Sequence, residues 1–239
     1  GDEILSGTTD SPTGFNATND TDATSTYKTK FFVVTNVLDG GANGTSSNNV
    51  TLKVKQDISI GTYQATTDGS ENLIDDSADN MFIGGLINSI GSFDGKLDEI
   101  RLYNRILSRD EITRLYAQGT PRINASLNTL RNGLVGFWSF NGGDLSGTTA
   151  FDRAGNNNGT LTNGPRVAIG RIGQALDFDG VNDYVDGGNN NSFFITGDLT
   201  LSTWVKYNGY VSQGSSLYVL VARSDVAGSN GYGFYTSSN

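Results

Sequence analysis

The chain has 239 residues, 36% of them hydrophobic and 10% aromatic, with 32 glycines against 3 prolines; that is enough apolar mass for a substantial core, which excludes a disordered polymer and suits many short strands joined by tight turns. A net charge of −9 and a pI near 4.4 exclude nucleic acid as a partner, because no run of lysine or arginine is present to neutralise phosphates. Cysteine and histidine are both absent, so disulfides, thiol chemistry, the usual zinc ligands and the commonest general base drop out, and no apolar run approaches membrane-spanning length.

Residues 1 to 30 are polar, and only Ile4 to Ser6 offers a short strand. The first residues carry no basic region followed by an apolar one, so a secreted chain would already have lost its signal. Lys30 to Leu38 is a β-rich apolar run closed by Asp39-Gly40-Gly41, which predicts a central strand and turn. From Asn49 to Lys55, Val50, Leu52 and Val54 alternate with Thr51, Lys53 and Lys55, as in a strand solvated on one side. Ile58 to Thr66 supplies a hairpin partner, and Met81 to Gly84 leads into the most informative stretch.

That stretch runs from Phe93 to Gly119. Leu97, Ile100, Leu102 and Tyr103 suit a buried strand, whereas Ile112, Leu115 and Tyr116 share one helical face. Ser108 and Glu111 have capping-box spacing, Gly119 supplies a stop and Pro121 forbids continuation, which places a helix near 109–117. Thr120 to Asn132 reads as a linker. Further strands are expected over Gly133–Asn141, Gln174–Phe178, Asp183–Asp186, Leu199–Lys206, Tyr218–Ala222 and Gly231–Thr236.

Phe93-Asp-Gly-Lys-Leu-Asp-Glu-Ile-Arg-Leu-Tyr-Asn-Arg-Ile-Leu-Ser-Arg-Asp-Glu-Ile-Thr-Arg-Leu-Tyr116 resembles the closing phrase of laminin-G-like domains of the concanavalin A-like lectin and glucanase superfamily. The later segment is similar to that family's opening half, through Gly133-Leu-Val-Gly-Phe-Trp-Ser-Phe140, Asp152-Arg-Ala-Gly-Asn-Asn-Asn-Gly-Thr-Leu161, Gly173-Gln-Ala-Leu-Asp-Phe-Asp-Gly-Val-Asn-Asp-Tyr-Val185 and Leu201-Ser-Thr-Trp-Val-Lys206. The resemblance implies an all-β, antiparallel two-sheet jelly roll with its halves in permuted order: the C-terminal half at 1–119, the linker at 120–132 and the N-terminal half at 133–239. Together the halves amount to about one domain, completed in the same or a neighbouring chain. Joined end to end, Asn239 and Gly1 would form an Asn-Gly hairpin turn, as though one loop had been cut.

Glycosidases of this superfamily set acidic residues at alternating strand positions. No Glu-x-Asp-x-Glu is present, and Asp98 and Glu99 are adjacent, so a regular strand would point them to opposite faces. The expectation is therefore no catalytic residue and no enzyme. Calcium is the candidate cofactor, because Asp152 with the loop to Gly159, and Asp177, Asp179 and Asp183 around Gly180, space hard oxygen ligands as that ion demands. The same residues can cap turns through Asx hydrogen bonds, a reading that favours the first stretch as calcium favours the second. Trp204, Tyr207, Tyr210, Tyr218, Tyr232 and Tyr235 are open to sugar stacking or to core packing. Asn16, Asn19, Asn43, Asn49, Asn124, Asn158 and Asn190 each begin a glycosylation triplet.

The expected function is a secreted or cell-surface structural or adhesive block, a homo-oligomer completed head to tail into a filament. The alternative is a calcium-dependent carbohydrate-binding module with glycans as partners.

Overall fold

A computed structural model of the chain describes residues 79–87, 91–118, 129–195, 198–208, 217–223 and 232–237, with the backbone of strands at 4–7, 30–36, 50–53 and 59–63. The strands are β1 (Ile4–Gly7), β2 (Lys30–Asn36), β3 (Val50–Lys53), β4 (Ser59–Tyr63), β5 (Met81–Ile83), β6 (Asp94–Tyr103), β7 (Leu134–Trp138), β8 (Leu145–Ser146), β9 (Thr149–Ala150), β10 (Gly159–Thr162), β11 (Arg166–Ile169), β12 (Gln174–Asp179), β13 (Tyr184–Asp186), β14 (Leu199–Tyr207), β15 (Leu217–Arg223) and β16 (Tyr232–Ser237), with one helix, α1 (Arg109–Ala117), among the described residues. One sheet runs β1-β2-β14-β6-β12-β11, with β7 also on β6; the other runs β3-β4-β16-β15-β5-β13-β10-β9-β8. Pairing is antiparallel apart from β1 with β2, which is parallel and departs from the all-antiparallel expectation.

The two sheets enclose one core. Leu97, Ile100 and Leu102 from β6, Leu176 and Phe178 from β12, and Leu199, Leu201 and Val205 from β14 meet Met81 and Ile83 of β5, Val185 of β13, Leu220 and Val221 of β15 and Phe234 of β16. Alternation along the strands, reset by bulges in β6 and β15, puts these side chains inward, and burying them drives the sheets together. Gly84 is required here: a Cβ on it would lie 2.2 Å from the Phe178 ring.

On the outer face of the first sheet, Tyr103 and Trp204 carry α1 through Ile112, Leu115 and the buried Leu130. The capping box forms both ways, with the Glu111 amide donating to Ser108 Oγ and the Ser108 amide to the Glu111 carboxylate. Gly119 and Pro121 lie outside the described residues. At the end of the expected linker, 129–131 form a 3-10 turn and Leu130 packs with the helix.

Strand pairing joins the two segments. β6 has β7, β12 and β14 as neighbours, and β5 has β13 and β15, so strands from before the linker are sheeted with strands from after it.

Candidate functional site

Glu99 has φ of 55°, and Leu97 and Ile100 both point into the core. Two residues thus separate inward positions where a regular strand has one. This bulge places Asp98 and Glu99 together on the outer face, which corrects the expectation that they face apart.

Their surroundings differ. The amides of Arg171 and Ile172 donate to Asp98 Oδ2 at 2.7 and 2.9 Å. Asp98 Oδ1 is buried and has no hydrogen-bond partner among the described residues. Burial pushes the Asp98 carboxyl up to about 7, with a smaller push from the Glu99 charge, against the pull of the amides. Glu99 is ion-paired with Arg101, whose guanidinium also donates to Gln118 and lies 4.0 Å from the Phe137 ring centre. Burial raises Glu99 as well, and Arg101 opposes it.

Asp98 lines a cavity of about 270 Å³ on this face, with Lys96, Ile169, Gly170, Arg171, Ala175, Trp204 and Lys206. Trp204 is 1% exposed, with Tyr116 stacked on it at 5.5 Å and the Arg171 guanidinium 4.9 Å from its ring centre. Gly170 lets the 170–174 loop approach: a Cβ there would stand 2.6 Å from Asp98 Oδ2.

The carboxylates expected to hold calcium are distributed as follows. Asp152 accepts the amides of Phe137 and Ala154 on Oδ1 and those of Gly155 and Asn157 on Oδ2, so its oxygens organise its own loop and tie it to β7. Asp179 Oδ1 accepts the Val181 amide, as an Asx turn requires, and the Asp179 amide donates to Asp183 Oδ2. Asp177 is in register with Arg166 on one side and Lys96 on the other. Asp183 Oδ1 is buried without a partner among the described residues, and its carboxyl is raised by desolvation first and then by Asp179 and Asp177, while Arg166 lowers it. Among the described residues no group of three or more carboxylates is arranged to hold a metal ion.

Tyr207, Tyr218 and Tyr232 are buried and, with Trp204, serve packing rather than an exposed sugar platform. Tyr210 and the side chain of Tyr235 lie outside the described residues. Of the glycosylation triplets, Asn158 and Asn190 are exposed, with side-chain oxygens receiving the amides of Asp152 and Ser192; Asn16, Asn19, Asn43, Asn49 and Asn124 fall outside. Sequence reasoning gave no role to Lys96, Arg171 or Lys206; of the cavity's lining only Asp98 and Trp204 were singled out.

Comparison with family models, with curated proteins and with solved structures finds no match to this chain.

Proposed function

We propose that the chain is a non-enzymatic, secreted structural or adhesive building block, a laminin-G-like jelly roll that propagates an assembly by head-to-tail completion between subunits. The observation that supports this reading is the pairing of β6, whose three neighbours all come from beyond the linker. Separated, the segments would expose unpaired edges and half a core. The same ladders formed with the next copy are heterologous and need not close, which is the geometry of a filament. A short linker holds its own partner segment at an effective concentration in the millimolar range. Exchange between copies then overtakes closure where subunits are crowded to that range, as in a surface layer.

Non-enzymatic action is supported at the Asp98-Glu99 pair by Glu99, which is buried and ion-paired with Arg101. Calcium-dependent carbohydrate binding is the second reading, favoured by Asp183 Oδ1 and its acidic neighbours. A glycan array with and without chelator, run beside electron micrographs of concentrated protein, separates them. Extended assemblies and no sugar binding are expected. Saturable, chelator-sensitive binding without assemblies would replace the structural reading with the lectin.

A further inference from the structure

We propose that the cavity between β6, β14 and the 169–171 turn is a binding site for a small hydroxylated anion, a carboxylate carrying at least one hydroxyl. The site is independent of the assembly reading. Three features define it. Asp98 is 2% exposed, lines the cavity, and keeps Oδ1 without a partner while Oδ2 is held by two amides. A buried acceptor left in this state carries a desolvation penalty that a hydroxyl donor would relieve.

The second feature is charge. Lys96 and Lys206 line the cavity with the single carboxyl of Asp98, so among the described residues two lysines face one carboxyl although the whole chain is acidic. Lys96 and Lys206 are in register on adjacent strands, and neither forms an ion pair among the described residues. Asp177 is in register with Lys96 on the far side and is not in the lining. An ammonium ligand would be repelled by both lysines, whereas an anion is attracted by two ammonium groups on flexible stems.

Size is the third. At about 270 Å³ the cavity falls near the lower end of ligand sites, suited to one sugar ring or a short hydroxy acid rather than an oligomer. The buried Trp204 and the backbone of Gly170 give it fixed walls, so the site is preorganised.

The test uses the intact chain and follows the two indole N–H signals, of Trp138 and Trp204, by nuclear magnetic resonance while ligands are added. Methyl β-D-glucuronide stands for a glycan residue and D-gluconate for a free hydroxy acid; methyl β-D-glucoside lacks the charge and propionate lacks the hydroxyls. One or both hydroxylated anions are expected to shift the Trp204 signal saturably and leave Trp138 in place, the better of the two naming the source. The two controls should bind about tenfold more weakly or worse. Lys96→Gln with Lys206→Gln, both partly exposed, should keep the fold and weaken binding at least about tenfold. Asp98→Asn should weaken the hydroxylated anions while leaving propionate unchanged. No saturable shift at Trp204, equal binding of propionate, or unchanged affinity in the lysine variant would each overturn the proposal.

Discussion

Asp98 shows how one side chain can work against stability and still be retained by its neighbours. Its carboxyl is raised from the ordinary 3.8 to about 7, chiefly by burial. An acid of this kind holds its proton more tightly when folded, so between about pH 4 and 7 the folded state binds more protons than the unfolded one, and stability falls as pH rises. Glu99, also raised, adds a slope of the same sign. Denaturant unfolding at a series of pH values is expected to show this decline, and Asp98→Asn to flatten it. An unchanged slope in the variant would place the titration elsewhere. Glu111 acts in the opposite sense. Arg105 hydrogen bonds, with the Ser108 amide helping, hold it down to about 2, so the stability it adds is complete above its ordinary 4.5 and lost as pH falls toward 2. Asp152 is the simpler case. With four amides on one buried carboxylate, Asp152→Ala leaves those donors without their acceptor and is expected to cost about 3 kcal/mol or more. Thermal unfolding measures the loss, and a change within about 0.5 kcal/mol, typical of an ordinary surface site, would reduce the loop to decoration.

At the scale of elements, α1 was the most legible. Its box residues, its Ile112 and Leu115 face and its bounds at 109–117 are all local properties of the chain, and all are observed. Ser108→Ala should therefore destabilise by about 1 kcal/mol, read from the shift in denaturant midpoint, with no effect expected if the helix depended on packing alone. The long apolar strands were equally clear because one inward face fixes their register. β11 went unread: its Val167 and Ile169 are exposed rather than buried, so its pattern carries no inward stripe. The short pairs β8 and β9 are too brief to show a period. The bulge at Glu99 was hidden for a different reason, since nothing in Leu-Asp-Glu-Ile announces a positive φ at a glutamate, a conformation that few non-glycine residues adopt. The cavity behind it depends on amides contributed from 171–172, far along the chain, and no local pattern reports that meeting.

For the whole molecule, the interleaved sheets tie strands from before residue 120 to strands from after residue 132. Among the described residues, β5 and β6 take all their strand partners from beyond the linker. The core between them is built jointly from residues of both segments. Closure and exchange use identical contacts and differ only in the linker and in subunit concentration. Sedimentation of the purified chain from about 10 µM to about 1 mM, a range chosen to cross the effective concentration of a short linker, tests head-to-tail completion most directly. A species near 25.4 kDa that gives way to progressively larger ones as concentration rises is the expected result. A single species near 25.4 kDa across the whole range would contradict it and leave a closed, self-completed sandwich.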